Sequence, residues 1–261
     1  MLTIYRTAGT LYRFRWLLYE LVIRDLRLRY RGSVLGFAWT LLNPLLFMAI
    51  YTLVFSIYMR VAIPDYPLYL LSGLIPWTFV QGAIGQAITA ILDGRTYVGK
   101  TLFPIELLVV VPVLSNGINF LLSLVLITAL ALALGVHPGW SLLFLPVGIV
   151  VETLGILGFS FLCATVNVFY RDVQQLIGYA LTALFFVTPI FYAASTVPPK
   201  FSFMVAYSPV AATIQIFQSV LYHGTAPPWR AVAFAAAFAV FVLGAGLGYF
   251  DRYRDAFGEF V

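Results

Sequence analysis

The chain is dominated by long, uncharged apolar runs, which constrain its fold more than any other feature of the sequence. The hydrocarbon core of a bilayer is about 30 Å thick, so a helix needs roughly 20 apolar residues to cross it. Runs of at least that length are Gly32–Met59, Tyr66–Leu92, Leu107–Val151, Val173–Pro199, Phe201–Trp229 and Ala231–Phe250. Because 62% of the residues are hydrophobic and only 10% are charged, one soluble core could not bury this apolar surface. The sequence therefore predicts an all-α integral membrane protein.

The run that begins at Leu107 is too long for a single span. Its middle segment, Gly135-Val-His-Pro-Gly139, is rich in turn-forming residues and predicts a break between two spans. The second of these spans continues through Glu152 to about Val168. A charged group inside a span is costly and normally faces a cavity or a polar partner. For Glu152 a hydrogen bond between helices and a proton relay both stay open, and the hydrogen bond is favoured because no second carboxylate or His is close in the sequence.

Pro209 divides the run Phe201–Trp229 into two short segments, Phe201–Ser208 and Val210–Tyr222. A helix of 13 residues covers only about 20 Å, so neither segment can span the bilayer. Short helices at membrane depth are tolerated where they are buried in protein or line an aqueous cavity. We therefore expect a re-entrant helix pair between the fifth and sixth spans, with a kinked seventh span as the alternative.

Twelve of the fifteen Lys and Arg residues fall on one side of a six-span topology. Seven of them lie in the first 33 residues, and the others are Arg95, Lys100, Arg171, Arg252 and Arg254. The opposite side carries Arg60, Lys200 and Arg230. Because Lys and Arg are enriched in cytoplasmic loops, both termini are predicted to be cytoplasmic. The basic residues thus indicate a membrane surface rather than a nucleic-acid partner, and no removable signal peptide is expected.

The segment Leu11–Arg31 predicts an amphipathic helix that lies in the membrane interface. Its charged residues recur at spacings of seven, four, three and four, and therefore share one face: Arg13, Glu20, Arg24, Arg27 and Arg31. Apolar residues occupy the other face: Leu11, Phe14, Leu18, Leu21 and Val22. The cationic face suits lipid headgroups, as expected of any cytoplasmic anchor, or a docking surface for a partner, and both explanations stay open.

These features predict a single membrane domain over residues 1–261. It consists of the interfacial helix (1–33), a six-span region (34–250) and a cytoplasmic tail (251–261). In the last span, Gly244-x-x-x-Gly248 would permit a close approach between helices.

The segment Gly94-Arg-Thr-Tyr-Val-Gly-Lys-Thr101 matches the consensus of a phosphate-binding loop. Such a loop requires a preceding β-strand and an α/β sheet, whereas an apolar span precedes this segment. We therefore interpret Asp93–Glu106 as a cytoplasmic connection between spans two and three that is available to contact a partner.

Four aromatic residues of the first span fall within an arc of about 80° at 100° per helical residue. They are Phe47, Tyr51, Phe55 and Tyr58. Lipid exposure or helix packing explains any single ring. A stripe with two Tyr residues also suits a path for sugars, which stack their C–H faces on rings and exchange hydrogen bonds with phenols.

The sequence contains no recognisable catalytic or metal-binding set. His137 and His223 lie near predicted outer boundaries and have no ligands at a suitable spacing. No combination of nucleophile, base and orienting residue is present, and Cys163 lies within an apolar run. We expect no catalytic residue, no metal and no cofactor in this chain.

The stretch Arg24-Asp-Leu-Arg-Leu-Arg-Tyr-Arg-Gly-Ser-Val-Leu-Gly-Phe-Ala-Trp-Thr-Leu-Leu-Asn-Pro44 resembles the start of the first span in permeases of polysaccharide ABC exporters. Three further motifs resemble that family in the expected order: Gly73-Leu-Ile-Pro-Trp-Thr-Phe79, Phe169-Tyr-Arg-Asp172 and Thr188-Pro-Ile-Phe-Tyr192. The chain departs from the family at Tyr207-Ser-Pro209, where Asn would be expected before the proline.

This resemblance implies a homodimer of six-span subunits joined to two separate ATPase subunits, which would hold ATP and Mg²⁺. It also implies a bacterial inner-membrane location and an undecaprenyl-diphosphate-linked glycan as cargo. A permease for a small amphiphile or drug is the alternative. An enzyme acting on lipid-linked sugar is disfavoured because the sequence offers no catalytic set.

Combined with the residue patterns, the resemblance assigns four groups of candidate site residues. The ATPase contacts are Arg13, Arg24, Arg27, Asp93, Arg95 and Lys100. The substrate path comprises Trp39, Phe47, Tyr51, Phe55 and Tyr58. The outer gate comprises Phe201, Phe203, Tyr207 and Pro209. The candidates for binding the lipid diphosphate are Arg29 and Arg31.

Overall fold

The computed structural model describes residues 2–98, 103–133, 135 and 139–260, and every regular element in these residues is helical. The α-helices are α1 (Leu2–Arg13), α2 (Arg15–Tyr30), α3 (Trp39–Tyr51), α4 (Tyr66–Ala87), α5 (Ala90–Asp93), α6 (Arg95–Val98), α7 (Glu106–Ala133), α8 (Leu145–Phe169), α9 (Val173–Val187), α10 (Ser202–Ala206), α11 (Pro209–Leu221), α12 (Trp229–Tyr253) and α13 (Phe257–Phe260). Five short 3₁₀ turns are Gly36–Ala38, Gly139–Phe144, Ala194–Thr196, Pro199–Phe201 and Arg254–Ala256, and Thr52–Tyr58 is a π-helix. The predicted all-α fold is confirmed.

Five helical stretches of the described residues are long and apolar enough to cross a membrane. They are Gly36–Tyr58, Tyr66–Ala87, Glu106–Ala133, Gly139–Phe169 and Trp229–Phe260. The most apolar window of α4 is 78% buried, whereas that of the first span is 11% buried. The helix α4 is therefore the centre of the bundle, and it packs against α7, α8 and α11.

Within the predicted run Val173–Pro199, the α-helix covers only the 15 residues of α9, and a 3₁₀ turn follows at Ala194–Thr196. A helix of that length covers about 22 Å. The helix α9 ends at Val187, and the next residue, Thr188, has the extended backbone that is favoured before a proline. The hydroxyl of Tyr66 donates to the carbonyl of Phe191 at 3.0 Å, and that of Tyr69 donates to the carbonyl of Tyr192 at 2.7 Å. Two tyrosine hydroxyls at the start of α4 thus provide hydrogen-bond donors for backbone carbonyls of the segment that follows α9.

The helical stretch Pro199–Ala206 and α11 form a pair bent by 85°. Ser208 separates them in an extended conformation, and its Oγ accepts a hydrogen bond from the backbone N–H of Ala211 at 3.2 Å. The segment that precedes the pair accepts the hydrogen bonds from Tyr66 and Tyr69, and it therefore lies at the start of α4. At the other end of α11, the Tyr222 hydroxyl donates to the Pro64 carbonyl, which directly precedes α4, at 2.8 Å. The segment thus enters and leaves at the same end of the bundle, so the pair is re-entrant and the kinked-span alternative is wrong.

Both termini of the chain lie at one end of the bundle, which we call the terminal end. Arg6 of α1 forms an ion pair with Asp251 of α12. Arg254, after α12, pairs with Glu106 at the start of α7, with 3.0 Å between Nη1 and Oε1. The ring of Phe169, at the end of α8, contacts the rings that follow α12. With α9 as a short fifth crossing, six crossings return the chain to this end.

The helices α8 and α12 make a close crossing at Gly158 and Gly246. A Cβ at Gly246 would collide with the carbonyl oxygen of Gly158, and a Cβ at Gly158 would collide with the backbone at Leu243. The glycines of the predicted motif, Gly244 and Gly248, have open space where a Cβ would be. The last span does approach another helix closely, as predicted. The predicted glycines were wrong, because Gly246 faces α8 whereas Gly244 and Gly248 do not.

Candidate functional site

Three of the four rings of the predicted stripe meet in one aromatic cluster. The Phe47 and Tyr51 rings are 5.9 Å apart, and those of Tyr51 and Phe55 are 6.4 Å apart. The ring of Phe191 lies 4.9 Å from Tyr51 and 4.7 Å from Phe55, and Phe185 lies 6.2 Å from Tyr51. We call Phe47, Tyr51, Phe55, Phe185 and Phe191 the aromatic cluster. Phe185 and Phe191 carried no sequence signal of this role, because they lie more than 120 residues further along the chain than the first span.

Tyr58 does not join the aromatic cluster. The stripe was predicted at the α-helical period, but Thr52–Tyr58 forms a π-helix, in which each hydrogen bond spans five residues instead of four. Tyr58 ends that segment and is 73% exposed. The π-helix therefore rotates Tyr58 away from the direction that an α-helix would give it.

Trp39, the fifth predicted path residue, lies at the other end of α3 beside a polar cavity of about 510 Å³. The cavity is bounded by the end of α2 and by α3, α4 and α7. Its polar lining comprises Arg29, Tyr30, Ser33, Trp39, Thr40, Asn43, Thr78, Asn116, Asn119 and Ser123, and its apolar lining comprises Pro44, Phe47, Phe79 and Phe120. Phe47 belongs both to this polar cavity and to the aromatic cluster, so the two features are continuous along α3.

Arg29 is held at the polar cavity by three side chains. Its Nη1 donates to Asn116 Oδ1 at 3.1 Å, and its Nη2 donates to Gln86 Oε1 at 2.6 Å and to Asp25 Oδ2 at 3.1 Å. Asn116 also donates to Gln86 Oε1 at 3.0 Å, which closes a network between α2, α4 and α7. A Cβ at Gly82 would lie 2.8 Å from Asn116 Oδ1, so the small residue leaves room for this network. Arg31, the other predicted diphosphate ligand, is exposed outside the cavity.

A second hydrogen-bonded group in the lining of the polar cavity consists of Tyr30, Thr40 and Asn119. The Tyr30 and Thr40 hydroxyls are 2.7 Å apart, and each lies 3.4 Å from Asn119 Oδ1. These residues were not predicted as site residues. The sequence did contain a signal, because Asn116, Asn119 and Ser123 recur at helical spacing within an otherwise apolar span.

The predicted ATPase contacts form an exposed basic surface at the terminal end. The side chains of Arg13, Arg24 and Arg27 on the N-terminal helices are exposed, as are Asp93 and Arg95. Arg24 Nη1 donates to the Tyr97 hydroxyl of α6 at 3.0 Å, which joins the N-terminal helix to the connection between spans two and three. Lys100 lies outside the described residues.

The matched phosphate-loop segment has no phosphate-loop fold in its described part. Helices α5 and α6, not a strand, flank Gly94, and residues 99–101 lie outside the described part of the chain. A Cβ at Gly94 would meet the side chain of Leu108 at 2.7 Å, so packing against α7 explains this glycine.

The predicted gate residues lie at the end of the bundle opposite the terminal end. Phe201, Phe203 and Tyr207 are exposed by 47%, 56% and 77%, and Pro209 begins α11. Tyr207 also borders a second cavity, of about 710 Å³, which the re-entrant pair shares with the start of α12.

Glu152 is 4% exposed and neither of its carboxyl oxygens has a hydrogen-bond partner among the described residues. It borders a mostly apolar cavity of about 170 Å³ between α4, α8, α9, the start of α11 and α12. The hydrogen bond expected for this residue is therefore not formed within the described part of the protein. That part also contains no cluster of three or more His, Cys, Asp or Glu residues able to hold a metal ion.

Comparison with known proteins gives consistent similarities over almost the whole chain. Residues 17–222 match the family described as ABC-2 type transporter. The O-antigen export system permease protein RfbA of Myxococcus xanthus is 36% identical over 258 residues, which cover 98% of this chain and 99% of that protein. A permease of the same name from Klebsiella pneumoniae is 30% identical over 94% of this chain and 95% of its own length. The polysialic acid transport protein KpsM of Escherichia coli is 21% identical over 90% of this chain and 93% of that protein.

Proposed function

The chain belongs to the ABC-2 type transporter family, and from this we propose that it forms the membrane path of an exporter that moves a lipid-linked polysaccharide of the O-antigen kind out of a bacterial cytoplasm. The observation that carries the proposal is the similarity, over 98% of this chain, to a permease named for O-antigen export. The chain is a multi-pass inner-membrane protein and a non-catalytic transport subunit.

The path for the glycan follows α3. It begins at the polar cavity beside Trp39, continues past Phe47 and reaches the Tyr51 and Phe55 rings of the aromatic cluster. Flat rings offer stacking surfaces to sugar C–H faces, and they bind without selecting one sugar sequence. A surface of this chemistry suits a polymer that must move along it, because no single contact is strong.

The terminal end of the bundle faces the cytoplasm in this proposal. The support is the positive-inside rule, since this end carries both chain termini and most of the Lys and Arg residues. The re-entrant pair then lies at the outer end, where Phe201, Phe203 and Tyr207 form the gate.

Two copies of a separate ATPase subunit dock on the exposed basic surface around Arg24 and Arg95, and hold the ATP and Mg²⁺. The hydrogen bond between Arg24 and Tyr97 supports a common surface, because it ties the two candidate segments together. ATP can drive transport through this surface only if the ATPase binds the states of the permease with different affinity.

A second copy of the chain completes the path. The first span and α9 are the least covered membrane helices of the described residues, and their exposed face includes polar and small residues that lipid would not favour. On α9 these residues are Gln175, Gly178 and Thr182. The cargo's lipid diphosphate lies at Arg29 and Arg31, whose guanidinium groups match phosphate oxygens.

Removal of the chain tests this function. Cells that lack it but retain the neighbouring biosynthetic genes are expected to lose surface polysaccharide and to accumulate lipid-linked polymer inside. Re-expression should restore the surface polymer. Normal surface polysaccharide combined with a new sensitivity to small amphiphiles would contradict the proposal and favour an exporter of small molecules.

A further inference from the structure

The polar cavity places several hydrogen-bonding side chains within membrane-spanning helices of the protein. Asn116 and Asn119 lie ten and thirteen residues along α7 from Glu106, which corresponds to about 15 and 20 Å of helix. Asn116, Thr40 and Ser123 are 8%, 7% and 5% exposed. Polar groups at such depth are costly and usually mark a ligand path or a polar partner.

Some of this hydrogen-bonding capacity is unused within the protein. Asn119 accepts bonds from Tyr30 and Thr40 through Oδ1, but its Nδ2 has no partner among the described residues. Among the described residues, neither end of the Asn43 amide has a hydrogen-bond partner, and Asn43 is exposed and lines the cavity together with Phe47. The two amides therefore point to a hydroxyl-rich or amide-bearing ligand.

Among the described residues, Arg29 is the one cationic side chain that lines the cavity. Its guanidinium is fixed by Asn116, Gln86 and Asp25, so it is oriented before a ligand arrives. A fixed guanidinium suits phosphate oxygens. The rings of Trp39 and Phe47 form walls on which a sugar ring can stack, whereas a flexible glycerol headgroup gains less from a flat ring.

We propose that the polar cavity recognises the phosphate-linked first sugar of the lipid-linked cargo, with Arg29 on the phosphate and with Asn43 and Asn119 on the sugar. This inference rests on the proposed export function and adds a site of sugar selection to it. The lipid tail of the cargo stays in the bilayer, because the exposed Asn43 and Phe47 leave the mouth of the cavity open. An anionic phospholipid with a glycerol headgroup shares the phosphate and hydroxyl chemistry, and the experiment separates the two.

The test measures equilibrium binding to the full chain in phosphatidylcholine nanodiscs. The probes are radiolabelled farnesyl diphosphate carrying one hexose, farnesyl diphosphate alone, and phosphatidylglycerol as competitor. Asn43→Leu and Asn119→Leu should each weaken binding of the hexose probe about tenfold, the effect of one or two lost hydrogen bonds, and leave farnesyl diphosphate unchanged. Arg29→Gln should weaken both probes. The control, Gln215→Leu on the exposed side of α11, should change neither.

Equal affinities of wild type, Asn43→Leu and Asn119→Leu for the hexose probe would overturn the proposal. So would competition by phosphatidylglycerol as strong as that by the hexose probe. Asn43 is exposed, so its variant remains informative if Asn119→Leu does not fold. Surface glycan is measured in parallel. If the wild type exports glycan but the variants bind the hexose probe normally, only the proposed sugar site is contradicted. If export does not depend on the chain, the proposed export function itself is contradicted.

Discussion

Gly158 of α8 and Gly246 of α12 are in backbone contact where their helices cross, so that neither position has room for a Cβ. The helix pair is among the most closely packed in the described protein, and it joins the fourth and sixth spans along their length.

Gly246→Ala is expected to force α8 and α12 apart and to destabilise the protein by about 1–3 kcal/mol, the usual cost of overpacking. Gly244→Ala is the matched control, because a Cβ there meets nothing within 4 Å and the gain in helix propensity is the same. Thermal unfolding of the purified variants in detergent measures the difference. Equal unfolding temperatures for the two variants would contradict the close crossing.

The topology predicts that Asp255 faces the cytoplasm and Thr225 the outside. Single cysteines at these two exposed positions, in a Cys163→Ala background, are to be treated with a membrane-impermeant thiol reagent on intact cells. Thr225→Cys should be labelled at once, and Asp255→Cys only after the membrane is permeabilised. Labelling of Asp255→Cys in intact cells would show that the charge distribution had been misinterpreted.

The purified chain is expected to bind no ATP in saturable fashion, although Gly94–Thr101 matches a phosphate loop. Helices flank Gly94 where that loop requires a strand, so the described part of the segment lacks the fold of a phosphate loop. Equilibrium binding of labelled ATP without a partner measures this, with Lys100→Ala as comparison. Saturable ATP binding that Lys100→Ala abolishes would show that Gly94–Thr101 does bind phosphate.

Charge reversal at Arg24 and Arg95 should weaken capture of the ATPase subunit, since both exposed side chains belong to the basic surface of the terminal end. Arg230→Glu is the control, because Arg230 is exposed at the opposite end. Co-purification of the tagged ATPase and its stimulated hydrolysis are measured. Unaltered capture in the Arg24→Glu, Arg95→Glu double variant would place the docking surface elsewhere.

Replacement of both Tyr51 and Tyr58 by Leu is expected to lower export of surface glycan several-fold, whereas membrane insertion and ATPase capture persist. Sugar contact needs a flat ring, and helix packing needs only apolar bulk, which Leu supplies. The single variants assign the effect, because Tyr51 lies in the aromatic cluster and Tyr58 does not. Phe241→Leu, at an exposed ring of α12, is the control. Normal export by the double Leu variant would make these rings structural.

Local features of the sequence were sufficient for the span pattern. Apolar runs such as Tyr66–Leu92 predict spans because the bilayer sets the length of helix that must be uncharged. Pro209 predicts the break in the re-entrant pair because a proline constrains the residue before it wherever that residue lies, and Ser208 is indeed extended. The basic residues of the first 33 positions predict a cytoplasmic N-terminus for an equally local reason, and six spans then put the C-terminus on the same side.

The tertiary structure alone decided which side chains meet. Arg29 reaches Gln86 and Asn116, 57 and 87 residues further along the chain, because α2, α4 and α7 are rotated about their axes so that these residues face one another. No sequence period specifies that rotation. For the same reason Gly246 rather than Gly244 makes the helix contact, and Phe191 rather than Tyr58 completes the aromatic cluster. Hydrophobic length and proline chemistry act within a segment, whereas a site between helices depends on how whole segments pack.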